Sequence, residues 1–387
     1  MIYWDYNATT PLRPELAAAL AKSLADAQAM PGNASSVHRS GRYWRDRLDG
    51  ARARVAGALG CQPREVCFTA SGSEANALAL RGAFLGRADK ARRHVVVSQI
   101  EHPAALATLK QLELLGAEVV RVPPQPDGQV SPQRMIAALG ENAALCSLMW
   151  ANNETGVLQP VAEVAHACRQ RGILFHTDAV QAAGKVSVSL REVDAHLLSI
   201  SAHKFYGPPG IGALVVRRGV SVEPLTPGHQ ESGRRGGTPN VPYAEALADA
   251  LERSIASLDE EGQRLAALRD EFERELTSSF QSVRIHGASA PRVPNTSSVE
   301  FIGADGEALL IALDLAGICV SSGAACASGS LSPSHVLLAM GLTPAQAHSS
   351  LRFSLGSDSS SAQVPRVLEV LSEQLPRARL AARAMAT

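Results

Sequence analysis

The middle of the chain alternates short apolar runs with amphipathic stretches, and no other feature limits the possible architectures as much. HVVVSQI (94–100), EVVRVP (118–123), ALCSLMW (144–150), ILFHTDA (173–179) and HLLSISA (196–202) are strand-length runs rich in Val, Ile and Leu. Helical stretches lie between them. PAALATLKQLELLG opens on Pro103 and closes on Gly116, and PVAEVAHACRQRG covers 160–172. Proline is tolerated in a first helical turn, and glycine supplies the left-handed stop. Strands apolar on both faces must be covered on both faces. The pattern therefore predicts a mostly parallel sheet with helices on each side.

From Tyr243 to about Phe280 the text becomes a long amphipathic stretch of Ala, Leu, Glu and Arg, with Gly262 as its weak point. It predicts one long helix leaving the first unit. Short strands (VRIHG, TSSVEFIG), a helix (GEALLIALDLAG), the strand LRFSLG and a last helix after Val364 follow. We expect residues 15–258 to form a large domain, and 1–14 with 259–387 a smaller α+β domain. With 387 residues, 45% of them hydrophobic, the chain can bury a large core.

Charge argues against whole classes of partner. Lys+Arg and Asp+Glu both total 37, so no net field favours nucleic acid or an anionic membrane. MIYWDYNATT lacks the apolar core of a signal peptide, and no run approaches the ~20 apolar residues of a membrane span. A cytoplasmic protein is expected. Cysteines at 61, 67, 146, 168, 319 and 326 form no CxxC pair and match no zinc template. No metal site is expected, and most of these thiols read as small buried hydrophobes, including Cys319 in AGICV.

Open parallel sheets bind ligands beyond the carboxyl ends of their strands. Asp178 ends one apolar run, in HTDAVQAAG; alone it reads equally as a helix cap. Lys204 follows the next run, in SISAHKFYGPPGIGAL; alone it is an ordinary lysine. Together they fit a pyridoxal-phosphate site, with Lys204 as the Schiff-base lysine and Asp178 holding the ring nitrogen protonated. FTASGSEANALAL places Ser71, Gly72 and Ser73 before an Ala/Leu-rich helix, whose N–H groups could face a phosphate. His102 stands at a third strand end, before Pro103, where it could stack on a ring or move protons.

The sequence resembles the cysteine desulfurases of the NifS/IscS type, in the class V aminotransferase group. The likeness runs from YWDYNATTP (3–11) to LRFSLG (351–356), through PGNASSVH, SGSEANALAL, EHPA, NNETGV, HTDAVQ, SAHKFYGPPGIGAL, GRRGGTPNV and SSGAACASG. It implies the fold of type I pyridoxal-phosphate transferases, with a mostly parallel seven-stranded sheet. It also implies roles. Lys204 carries the cofactor, His102 stacks on its ring, Asp178 pairs with the ring nitrogen and Gln181 contacts the ring hydroxyl. Asn153 contacts the ring region. Gly72, Ser73, Ser201 and His203 surround the phosphate, which Thr238 reaches from the other subunit of a homodimer. Arg352, assisted by Asn33, binds the substrate carboxylate.

ICVSSGAACASGSLSP (318–333) surrounds Cys326 with Ser, Gly and Ala, few of them able to anchor it in a core. The resemblance makes Cys326 the carrier of a persulfide taken from L-cysteine, with alanine released. The acceptor would be a protein such as an iron–sulfur scaffold or a tRNA-thiolation protein. Small departures from the family pattern are Ser73 for threonine, Ala202 for glycine, and Ala325 and Val180 at neighbouring positions. Alternative readings are a selenocysteine lyase, another class V aminotransferase, or a sulfur-relay scaffold without turnover.

Overall fold

The structure is a computed structural model that describes residues 1–323 and 333–385. The chain starts with a short strand, β1 (Ile2–Tyr3). The strands β2 (Val66–Thr69), β3 (His94–Ser98), β4 (Glu118–Val122), β5 (Ala143–Ser147), β6 (Leu174–Asp178), β7 (Leu197–Ser201) and β8 (Gly212–Val216) then form a seven-stranded sheet in the order β2-β8-β7-β6-β5-β3-β4. The pairs among β3, β4, β5, β6 and β7 are parallel, whereas β8 runs antiparallel to both β7 and β2. The two strands absent from the sequence reading, β2 and β8, are the pair at this edge. The expected parallel sheet is there, with β8 as its single reversed strand.

Strand periodicity explains why helices cover both faces. Val95 and Val97 of β3 join one apolar cluster, with Phe84 and Leu109 from the helices on that side. Val96 points the other way, into a larger cluster with Val55, Val164 and Leu247. All three valines are fully buried, each contributing about 1.5–3 kcal/mol relative to exposure.

The single long helix expected over 243–280 is two helices, Val241–Ala256 and Leu258–Ser279, broken at Ser257. Gly262 lies inside the second and does not break it. The cause is that the two halves serve different cores. Ala244, Leu247, Ala248 and Leu251 face the large cluster, whereas Leu265, Leu268, Phe272 and Leu276 face another. One straight helix could not present both stripes.

That further core carries a four-stranded sheet, β9 (Val283–His286), β10 (Thr296–Phe301), β12 (Ser321–Ser322) and β13 (Ser350–Ser354), in the order β12-β13-β10-β9, and a strand β11 (Ile318–Cys319) paired in parallel with β1. Trp4 is one of its fully buried aromatics, edge-on to Phe272 and Phe353. Cys319 corrects an expectation. It is only half-buried, because on β11 the core-facing residues are Ile318 and, just beyond, Val320. Cys67, Cys146 and Cys168 are buried, and Cys61 is half-buried.

Candidate active site

Because only β8 is reversed, six strands open their carboxyl ends on one edge of the sheet, and five of them lead to candidate residues. β2 leads to Ser71 and Gly72, β3 to His102 and β5 to Asn153. β6 ends on Asp178, and β7 ends on Ser201 before a tight turn, Ala202–Lys204.

Asp178 is 4% exposed. One carboxylate oxygen accepts the Val180 amide at 2.9 Å and the other accepts Asn76 Nδ2 at 2.6 Å, so the charge is buried but hydrogen-bonded. The Lys204 ammonium donates to the carbonyls of Asn7 and Ala8 at 2.7 and 2.8 Å. The carbonyl of Asn7 also accepts Gln181 Nε2 at 2.9 Å, so Lys204 and Gln181 meet on one backbone oxygen. His102 caps the helix Pro103–Leu114, its Nδ1 accepting from the Ala104 amide at 3.2 Å. Its proton therefore sits on Nε2. Burial pushes its pKa down, opposed by Asp178 and reinforced by Lys204 and His335. The lowered pKa favours the neutral ring.

The anion cradle is built from small residues. Ser71 is the N-cap of the helix Gly72–Ala77, accepting from the Glu74 amide at 3.1 Å. A Cβ at Gly72 would stand 2.9 Å from Val180 Cγ2 and 3.1 Å from the Ser201 Cβ, so glycine alone fits where this turn meets β7. Ser73 is exposed in the first turn. Burial lowers the His203 pKa to about 4, and its Nδ1 meets Thr9 Oγ1 at 3.1 Å. Glu74 joins the loop that carries Thr238 through Arg235, at 2.9 Å. Thr238 itself is exposed, beside a hollow shared with Thr69 and Ala70.

Arg352, 3% exposed, reaches the site from β13. Its Nη1 donates to the Asn153 carbonyl at 3.0 Å and its Nη2 to Asp5 at 2.7 Å. Arg352 Nε and Asn153 Oδ1 are buried polar atoms with no partner among the described residues. Groups this deep need partners. Asn33 stands apart: it is exposed and its side chain accepts from the Ser35 amide at 2.8 Å. Cys326 lies outside the described residues.

These residues suit pyridoxal phosphate. A buried carboxylate, an amine on the next strand end, a glycine turn that a Cβ would fill and two orphaned polar atoms converge on one edge. Sequence reasoning missed two members, Asn7 and Asp5. Both lie in the matched segment YWDYNATTP, where polar side chains among aromatics were the available signal.

Glu101, fully buried beneath His102, braces two strand ends: one oxygen accepts Ser98 Oγ at 2.6 Å and the Met149 amide at 2.9 Å. Burial raises its pKa from 4.5 to about 7. The folded state therefore holds this proton more tightly than the unfolded chain. The stability it confers is complete below about pH 4.5 and is lost as the pH climbs through 7. Glu101→Gln keeps the bracing oxygen and never ionises. Denaturant unfolding at pH 5 and pH 8 should show the variant losing less stability across that interval than the parent, by on the order of 2 kcal/mol. Parallel pH profiles would contradict this.

Comparison with known proteins shows the family. The family described as Aminotransferase class-V matches residues 2–367. A cysteine desulfurase of Cereibacter sphaeroides is 45% identical over 373 residues, covering 96% of this chain and 94% of the relative. An IscS-like cysteine desulfurase of Mycobacterium tuberculosis is 42% identical, covering 100% of this chain and 99% of its own. Among solved structures, a NifS-like protein superimposes with a TM-score of 0.88 at 32% identity, covering 97% of this chain and 99% of that one. SspA in complex with cysteine gives 0.81 at 31% identity, covering 92% and 99%.

Proposed function

The chain belongs to the class V aminotransferase family and, within it, to the cysteine desulfurases of the NifS/IscS type, and on that premise we propose that it converts L-cysteine to L-alanine at the strand-end site and passes the sulfur to Cys326 as a persulfide. The observation that carries the reading is the pairing of Lys204 and Asp178 at adjacent strand ends, with Arg352 Nε and Asn153 Oδ1 left to be satisfied beside them. That one structural neighbour holds cysteine supports the substrate.

Pyridoxal phosphate, when bound, supplies an electron sink for a carbanion at the substrate Cα. Asp178 is the carboxylate that would keep the ring nitrogen protonated, and Asn76 orients it. Gln181 would donate to the ring hydroxyl, and His102 would stack on the ring. Gly72, Ser73, Ser201 and His203 would receive the phosphate, with Thr238 from a second copy in a homodimer. Lys204 would anchor the cofactor, and its amine is the group that would take the Cα proton. The planar fork of Arg352 suits a carboxylate, with Asn33 assisting. The Cys326 thiolate would attack the substrate sulfur: an S–S bond forms, the C–S bond breaks with its electron pair going to the β-carbon, which takes a proton, and the carbon fragment departs as alanine.

Two cores and the break at Ser257 support a large domain of 15–258 and a small domain of 1–14 with 259–387, the latter carrying Cys326. No described helix is long and apolar enough to cross a membrane, which suits a cytoplasmic enzyme. Its acceptor is a sulfur-receiving protein, such as an iron–sulfur scaffold or a tRNA-thiolation protein. The test is product analysis. Protein loaded with cofactor and given L-cysteine and a thiol reductant should release alanine and sulfide in equal amounts. Pyruvate, or alanine without sulfide, would overturn the reading.

A further inference from the structure

Lys185 is a half-buried lysine that the chemistry above does not use. It stands four residues beyond Gln181, on the segment that leaves β6. Its ammonium donates to Gln181 Oε1 and, at 2.8 Å, to Asn7 Oδ1. Burial, with Lys204 and Arg352 nearby, pushes its pKa well below 10.5. Placing an amine there is costly, so its contacts call for an explanation.

We infer that Lys185 is a positioning residue of the cofactor site, fixing which end of the Gln181 amide faces the site and locking Asn7 beneath it. The two ends of a glutamine amide are almost equal in size, and only the hydrogen-bond network decides which way it points. Lys185 is the donor in both contacts, so the Gln181 oxygen turns towards it. The amide nitrogen is thereby sent to the other side, where it reaches the Asn7 carbonyl at 2.9 Å, the oxygen on which Lys204 also rests. Lys185 shares the orienting of Asn7 with Asn295, whose Nδ2 donates to the same Oδ1 at 3.2 Å. Asn7 Oδ1 faces Lys185, and Asn7 Nδ2 donates to Thr296 Oγ1 at 2.8 Å and to the Asn153 carbonyl at 3.2 Å. A flipped Gln181 would offer an acceptor where the proposed contact with the ring hydroxyl needs a donor. This inference rests on the reading of Gln181 given under the proposed function.

The test is a double-mutant cycle read on cofactor affinity and on the absorption maximum of the bound pigment, not on turnover. Lys185→Met and Gln181→Met should each weaken pyridoxal-phosphate binding about tenfold, roughly what one such hydrogen bond supplies, and shift the absorption band. The double variant should bind within about twofold of Gln181→Met, because Lys185 acts through Gln181. Lys185→Arg, which still only donates, should keep most of the affinity. If Lys185→Met does not fold, Lys185→Gln serves in the same cycle. It keeps its neighbours hydrogen-bonded but can accept as well as donate, which removes the directional constraint. Additive losses in the double variant would overturn the role of Lys185 while leaving Gln181 as a cofactor ligand. Unchanged affinity in Gln181→Met would overturn the assigned ring contact and, with it, the route from Lys185.

Discussion

Lys204→Ala protein is expected to lose turnover by more than about 10⁴-fold, even at saturating pyridoxal phosphate. Two functions disappear with one amine: the covalent anchor and the base for the Cα proton. General-base catalysis alone is worth roughly 10²–10⁴, and the loss of covalent anchoring adds to that. The pocket should survive. Asp178 keeps its bonds to Asn76 and Val180, and the Gly72–Ser201 turn contains no atom of Lys204. The carbonyls of Asn7 and Ala8 lose a donor, and water can replace it at this half-buried place. The variant should still take up cofactor, but without a covalent bond. Borohydride treatment followed by peptide mapping should fix the pigment at residue 204 of the parent and nowhere in the variant. Alanine formation above a few per cent of the parent rate, or an adduct on another lysine, would displace Lys204 from its assigned role.

Cys326→Ser tests the second half of the chemistry, because only a thiol can take sulfur from the substrate. Serine keeps the size, but its hydroxyl is scarcely ionised at neutral pH and is a far weaker nucleophile towards sulfur. The variant should remain yellow and still change its spectrum on addition of L-cysteine, since Lys204, Asp178 and Arg352 are intact. Alanine release should fall by at least about 10²-fold. Parent protein given cysteine without reductant should gain one sulfur on the peptide that contains Cys326, and the variant none. Near-normal alanine and sulfide from Cys326→Ser would move the function towards a lyase that releases sulfur or selenium directly.

The expectations that held came from local signals. An apolar run ending in a polar residue marks a strand end, and β3, β6 and β7 carried His102, Asp178 and Lys204 in that form. What escaped the sequence reading depends on distant partners. Asp5 and Arg352 meet across 347 positions, and no periodicity or spacing rule links them. Asn7 is a short polar residue in an aromatic segment. Its importance comes from contacts with Gln181, Lys204, Thr296 and Ser354 that exist only once both cores have formed. The break at Ser257 was missed for a related reason: helix propensity is continuous through it, and only the existence of two cores demands a turn. Cys319 was misplaced because its neighbours are apolar, whereas strand alternation turns it outward.

The position of the first residues has a consequence for how the molecule comes into being. Trp4 sits among Phe272 and Phe353, β1 pairs with β11, and the Asn7 amide is held by Ser354 Oγ at 2.9 Å. During synthesis residues 1–8 leave the ribosome long before the residues that form their resting place. The seven-stranded sheet has all its strands once residue 216 is out, but the floor beneath Lys204 must wait for nearly the whole chain. A nascent chain therefore lacks this floor until residue 354 has emerged, however early its large sheet assembles.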